Sequence, residues 1–246
     1  MVVLTWNING YRSTNNKGLF TPILELNPDF ICLQEIKMNE EIVGIEKYHA
    51  YYNFANKKGY SGVAIFCKEK PINIVKEIGF EQFDSEGRFL LLEYPDFILI
   101  NLYIPHGGRQ KENHEYKFAA INKILDVLKS LNKNIILCTD FNIAHTELDL
   151  TNYKTNYDNN MFSLPERQKI DEILSLGFVD ALRYKTKENG IYSWWSHSFN
   201  ARERNMGWRI DYIFLSKNLA NKIEDIRYLK DYLGSDHCPV ILELTK

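Results

Sequence analysis

Apolar and β-branched residues recur in short runs from one end of the chain to the other. They are Val2 to Trp6, Phe30 to Leu33, Val63 to Phe66, Phe89 to Leu92, Phe97 to Tyr103, Ile135 to Cys138, Ile210 to Leu215 and Val240 to Leu242. Each is too short for an ordinary helix and is bounded by polar or turn-forming residues, which predicts buried strands. Helical spacing links Ala120, Ile121, Ile124, Leu125, Leu128 and Leu131. It returns in Ile170, Ile173 and Leu174, downstream of Ser163-Leu164-Pro165-Glu166, a capping box that would open that helix. Strands and helices intermix to the end, with no repeat, low-complexity tract or Pro/Ser-rich linker between them. Residues 1–246 are therefore read as one α/β domain. The most polar stretch, Thr151 to Asn160, has no periodicity and predicts an ordered surface loop, with a functional lid as the alternative.

The 246 residues are 45% hydrophobic and 25% charged, an ordinary globular composition able to bury a sizeable core. The formal net charge of -2 excludes a protein that coats nucleic acid through overall positive charge, so any DNA binding must use a local basic face. Cys32, Cys67, Cys138 and Cys238 show no CxxC pairing and three of them sit in apolar runs, which predicts buried reduced thiols. No charged-then-apolar leader opens the sequence, and no apolar run approaches the ~20 residues that span a bilayer. The expectation is a cytoplasmic protein, nuclear in a cell with a nucleus, acting as a monomer away from membranes.

The informative polar residues stand where the apolar runs stop. Asn7 and Asn9 follow the first strand and Gln34-Glu35 the second. Tyr103 and His106 end another, Asp140 and Asn142 follow Ile135 to Cys138, Asp211 lies within a strand, and Asp236-His237 precede the last. In α/β folds such residues converge on one rim. Glu35, Asn7 and Asp236 offer hard oxygens suited to Mg²⁺, Asp140 suits orienting or deprotonating an attacking water, and Asp211 suits a partner that holds and charges His237. No His/Cys cluster has zinc spacing. Singly, each has a bland reading: an Asn after a strand is a turn residue, Glu a helix cap, Asp-Phe-Asn an Asx turn. Their joint occurrence shifts the balance toward a site.

Seven segments then carry a resemblance: Trp6-Asn7-Ile8-Asn9-Gly10, Leu33-Gln34-Glu35-Ile36-Lys37, Gly59-Tyr60-Ser61-Gly62-Val63, Tyr103-Ile104-Pro105, Asp140-Phe141-Asn142-Ile143-Ala144-His145, Gly207-Trp208-Arg209-Ile210-Asp211-Tyr212 and Gly234-Ser235-Asp236-His237-Cys238-Pro239. In this order, and over essentially the whole chain, they resemble the motifs of exonuclease III type apurinic/apyrimidinic endonucleases. The resemblance implies a four-layer sandwich, two mixed β-sheets flanked by helices, and Mg²⁺-dependent cleavage (Mn²⁺ as substitute) of duplex DNA 5′ to abasic sites, with some 3′-exonuclease or 3′-phosphatase activity. By motif, Asn7 and Glu35 would hold metal with Asp236 nearby, and Tyr103 would touch the scissile phosphate or its water network, the base being Asp140, Tyr103 or a metal-bound water. Asp140 and Asn142 would position the nucleophile, and Asp211 would orient His237. Asn9 would join the substrate contacts.

Within Tyr192 to Trp208 the resemblance implies a pocket of Trp194, Trp208 and Ile210 for an extrahelical sugar lacking its base, whereas Trp195 reads as core. From Arg183 to Arg209 six basic residues face two acidic ones, which suits a phosphate backbone beside a flipped nucleotide, with Lys57, Lys58, Arg109 and Lys111 extending the face. The bland reading is a solvated surface. Three positions depart from the family pattern. His106 stands where Asn or Gln contacts phosphate and makes that contact pH-sensitive. Thr139 replaces a Gly and demands conventional backbone. Ser198 replaces a large apolar wedge, leaving groove insertion to Arg109 alone. The alternatives are an exonuclease-dominated relative and a non-catalytic nucleic-acid-binding paralog. Retention of Asn7, Glu35, Asp140, Asn142, Asp211 and His237 together opposes the paralog.

Overall fold

A computed structural model describes residues 1–245 except 17, 19, 41–44 and 46. Among the described residues twelve strands run in the order β1 (Val2–Asn7), β2 (Phe30–Gln34), β3 (His49–Asn53), β4 (Val63–Cys67), β5 (Asn73–Val75), β6 (Phe89–Glu93), β7 (Phe97–Tyr103), β8 (Asn134–Asp140), β9 (Phe178–Asp180), β10 (Asp211–Ser216), β11 (Ile223–Tyr228) and β12 (Val240–Leu244). Helices α1 (Tyr11–Asn16), α2 (Thr21–Glu25), α3 (Glu81–Ser85), α4 (His114–Ser130), α5 (Leu164–Ser175) and α6 (Ala181–Lys185) lie between them.

The strands form two six-stranded mixed sheets, β11-β12-β1-β2-β4-β3 and β5-β6-β7-β8-β10-β9. Side chains alternate across a strand, and here the alternation sorts them into layers. Val3, Cys32, Ile65, Leu90, Ile136, Cys138, Ile213 and Leu242 meet between the sheets. Their neighbours Leu4, Ile31, Leu33 and Phe66 turn outward to meet Tyr11, Phe20 and Ile23. On the far face, Leu91, Ile100, Leu137 and Phe214 pack on Ile121, Ile124, Ile170 and Ile173. Helix α4 buries Lys117, Ala120, Ile121, Ile124, Leu125 and Leu128, one stripe at helical spacing. The expected capping box is present: Ser163 and Glu166 hold each other's backbone at the start of α5. All four cysteines are free and buried. Among the described residues no helix is long and apolar enough to cross a membrane.

One parallel pair sits at the middle of each sheet, β1 with β2 and β7 with β8. Their last register partners are Asn7 with Gln34 and Tyr103 with Asp140. Asp140 also pairs with Asp211, the first residue of β10. The carboxyl ends of both parallel pairs thus open on the same rim, where chain direction delivers polar residues to one place.

Candidate active site

Asn7 joins the two sheets. Its amide nitrogen donates to Glu35 Oε1 and to Asp140 Oδ2, both at 2.8 Å, and its oxygen accepts from the Asn9 backbone at 3.0 Å. Asp140 is 1% exposed, and its other oxygen accepts from the Asn142 backbone N–H at 3.0 Å. The Asn142 side chain in turn donates to the Ile104 carbonyl at 2.8 Å. His237, itself buried, places Nδ1 2.8 Å from Asp211 Oδ2 and Nε2 3.9 Å from Asp140 Oδ2. Trp6 Nε1 donates to the His237 carbonyl, and Ser235 Oγ to the Asn7 carbonyl, so the end of β1 fastens the Ser235-Asp236-His237 turn.

Burial and crowding set the charges here. Desolvation, with the repulsion of Asp211, pushes the Asp140 carboxyl up to about 8 against the pull of His237 and Asn7. Burial opposes charge on His237, yet Asp211 and Asp140 override it and raise the imidazole to about 10. Glu35 is lowered despite its burial, because Lys37 lies 2.9 Å away and Asn7 donates to it. Tyr103 is driven well above its ordinary value by burial and by Glu35, which its hydroxyl hydrogen-bonds. Asp236 is also lowered against its burial, by the charge of His237 and by hydrogen bonds from Trp194 Nε1 and Asn9 Nδ2. Lys37 Nζ reaches Asn9 Oδ1 at 2.5 Å, so Glu35, Lys37, Asn9 and Asp236 form a continuous polar rim.

Beside this cluster lies a cleft of about 450 Å³ whose walls include His106, Arg109, Asn160, Met161, Trp194 and Trp208. Trp194 bridges by backbone to Trp208 on one side and to His237 on the other, so cleft and cluster share one strand-like seam. Ile210, expected on the pocket wall, is 1% exposed and lies beneath the tryptophans with Ala144, Leu150 and Phe162. Trp195 is core, as read. The Thr151 to Asn160 segment is ordered and supplies cleft wall: Asn160 Nδ2 donates to the His106 carbonyl at 2.8 Å and its Oδ1 accepts from the His114 ring at 2.9 Å. His106 faces the cleft, its imidazole held below its ordinary value by burial and by the charge of Lys117.

The basic excess between Arg183 and Arg209 is not a DNA face as counted. Arg209 is fully buried between Asp149 and Asp180, at 2.8 and 2.7 Å, and Arg183 also binds Asp149. Arg202 spends its guanidinium on the carbonyls of Lys230, Tyr232 and Ser235 while lying over the Trp195 ring. Lys57, Lys58 and Arg109 are exposed, and Lys111 is half-buried. Ser198 is exposed, and Phe199 beside it is 87% exposed, so a large apolar group projects one residue along from the expected wedge. Thr139 takes ordinary strand backbone in β8.

Three residues at the site escaped the sequence reading. Arg88 lies 4.4 Å over the Tyr103 ring, ion-paired to Glu86 and donating to the Tyr60 hydroxyl. Lys117, fully buried, donates to the Asn142 carbonyl and to Glu166 at 2.9 and 2.6 Å. Its signal was available: a lysine at the head of the apolar stripe of α4. Met161 had none.

A profile of the endonuclease/exonuclease/phosphatase family matches residues 4–237. An exodeoxyribonuclease of Bacillus subtilis is 42% identical over 248 residues, 98% of this chain and 98% of that protein. The DNA repair nuclease APEX1 of Danio rerio is 37% identical over 258 residues, 99% of this chain and 82% of that one. A solved AP endonuclease from Archaeoglobus fulgidus superposes with a TM-score of 0.87 at 28% identity, covering 100% of both chains.

Proposed function

The chain belongs to the endonuclease/exonuclease/phosphatase family, and from that premise we propose that it is a DNA repair nuclease hydrolysing the phosphodiester 5′ to abasic sites in duplex DNA, with further activity as a 3′-exonuclease or 3′-phosphatase. The observation that carries this is the seam between two unlike surfaces, a carboxylate–imidazole cluster and a tryptophan-walled cleft one backbone bridge away. A nucleotide without its base leaves the helix at little stacking cost. Its sugar enters between Trp194 and Trp208, and its 5′ phosphate meets Asp140 and His237. The abasic specificity draws support from the Archaeoglobus AP endonuclease, and the exonuclease activity from the Bacillus exodeoxyribonuclease.

Asp140 takes the proton of the attacking water, its oxygens held by Asn7 and by the Asn142 backbone. His237, kept cationic by Asp211, stands against the non-bridging phosphoryl oxygen on which charge builds. Tyr103 contacts the phosphate from the Glu35 side, and Asn142, Asn9, His106 and Arg109 complete the contacts. Arg109 and Phe199 enter the grooves.

The donor set fits a hard divalent cation. Glu35 Oε2, against Lys37, and Asp236 Oδ1, against Asn9, lie along one polar rim with the Asn7 amide oxygen, which the Asn9 N–H meets. The ammonium of Lys37 already occupies a cation's place between Glu35 and Asn9. Glu35 and Asp236, with the amide oxygen of Asn7, would hold Mg²⁺ or Mn²⁺. Bound there, the ion supplies charge neutralisation at the phosphate. The enzyme is read as one domain over residues 1–246, a monomer on DNA in the cytoplasm or nucleus, without a membrane partner.

The test incubates a duplex with one abasic analogue, and its undamaged twin, with Mg²⁺ or with chelator. A single incision at the lesion, abolished by chelator, is expected. Equal cutting of both duplexes, or full activity in chelator, overturns the assignment. The exodeoxyribonuclease relative favours a second reading, an enzyme devoted mainly to digesting DNA from its ends. Products shortened progressively from the 3′ end faster than lesions are incised would select it.

A further inference from the structure

Met161 holds a backbone conformation that a methionine ordinarily avoids. Its φ is +73°, in the left-handed region where a Cβ crowds the neighbouring carbonyl. Two hydrogen bonds keep it there. Its N–H donates to Glu166 Oε1 at 3.0 Å, and its carbonyl accepts from Ala144 at 2.8 Å. Glu166 is itself immobilised by Lys117 and Ser163. With both backbone groups pinned, the side chain is driven inward. It is 5% exposed, packs with Leu150, Phe162 and Ile210 below Trp194 and Trp208, and contributes to the wall of the cleft. Glycine adopts this backbone freely, so the long side chain is kept at a conformational cost, and such residues gather where geometry serves function.

We propose that Met161 is the specificity-determining residue of the cleft: its thioether sets the depth between the two tryptophans, admitting a bare sugar and refusing a nucleotide that still carries its base. The proposal deepens the function assigned above and rests on it. A hydrophobic wall discriminates by volume, at about 10–200-fold for a single methylene, and methionine to glycine removes four heavy atoms. The unbranched, polarizable chain conforms closely to ring edges, leaving no gap for a base. A residue that only filled core would lower every activity in proportion and leave the ratio between substrates where it was.

The experiment uses the full chain with Mg²⁺ and three variants, Met161→Gly, Met161→Ala and Met161→Leu. Each is assayed on a duplex with one abasic analogue and on the same duplex with a mismatched thymine at that position, a base that flips easily yet remains attached. The ratio of the two incision rates is the readout. The glycine variant should shift it toward the thymine substrate at least tenfold, alanine by less, and leucine, of similar volume, within about twofold of the parent. Should the glycine variant fail to fold, the alanine variant carries the same test. A folded glycine or alanine variant with the parental ratio overturns the role of Met161 while the parent still prefers the abasic duplex. A parent with no such preference overturns the functional assignment instead.

Discussion

Replacing Asp211 by Asn removes one charge from a buried site while keeping its shape, and the structure sets the scale of the effect. His237 lies 2.8 Å from the Asp211 carboxylate and is lifted from an ordinary 6.5 to about 10. That interval corresponds to roughly 5 kcal/mol of preference for the imidazolium. Among the favourable influences Asp211 is the largest, ahead of the more distant Asp140, and burial works against them both. Without Asp211 the ring loses its largest favourable influence, and its pKa should fall well below the parent's. At pH 7.5 the parent imidazole is charged, and the variant's smaller preference for the imidazolium weakens the cationic donor proposed to face the phosphoryl oxygen. Removing one such donor costs about 10²–10³ in turnover. Two measurements check this: the NMR titration of the His237 Cε1 proton, and kcat/KM from pH 6 to 10. Parent activity should fall below about pH 8, where Asp140 takes up its proton, and again as His237 loses its own near 10, whereas the variant should lack that upper limb. Because the folded value is raised, the pair's contribution to stability is fully present below pH 6.5 and is lost as pH rises through about 10. His237→Ala should be impaired similarly, and the double variant scarcely further, since the carboxylate acts through the ring. A His237 still titrating near 10 in the Asn variant, or a double variant whose loss equals the product of the single losses, refutes the reasoning.

Asp140→Asn should lower kcat by orders of magnitude and leave DNA affinity near normal, because its role is felt in the transition state; single-turnover rates beside equilibrium binding decide it. Trp208→Ala should cut abasic incision far more than degradation of ordinary 3′ ends. Full burial would make that truncation cost about 3–5 kcal/mol; Trp208 is only partly buried, so roughly half is expected, with a melting temperature lower by about 4–8 °C, and a stable variant with an unchanged ratio removes Trp208 from the pocket. Arg109→Ala should weaken duplex binding and reduce the slope of log affinity against log salt by about one; an unchanged slope takes Arg109 off the phosphates.

The eight strands legible in the sequence are the eight interior strands of the two sheets, and the four that were not, β3, β5, β9 and β11, are the four edges. An interior strand buried on both faces reads as an apolar run. An edge is short, partly wet and irregular: β5 and β9 have three residues each, and a register shift between Ile223 and Asp225 breaks the alternation of β11. Helices α4 and α5 are long enough to show a period, whereas the five- and six-residue helices are not. At the site, Asn7, Glu35, Tyr103 and Asp140 were visible because strand direction alone brings them to one rim. Arg88 and Met161 owe their places to tertiary packing that no spacing records. Arg209 misled for the converse reason, since counting charges along a chain says nothing of depth.

Neither sheet owns the reactive cluster: Asn7 and Glu35 stand at the end of one, Asp140 and Asp211 at the end of the other, and the Asn7 amide is the rivet between them. A chain whose two halves have each acquired secondary structure but have not yet docked holds only fragments of the machinery. Such a species, emerging from the ribosome or half-melted by heat, is harmless to the genome it will later mend. On refolding, the return of cleavage would clock the closing of the sandwich rather than the appearance of strands or helices. On warming, cutting would cease at the first parting of the layers, before the far-ultraviolet signal fades.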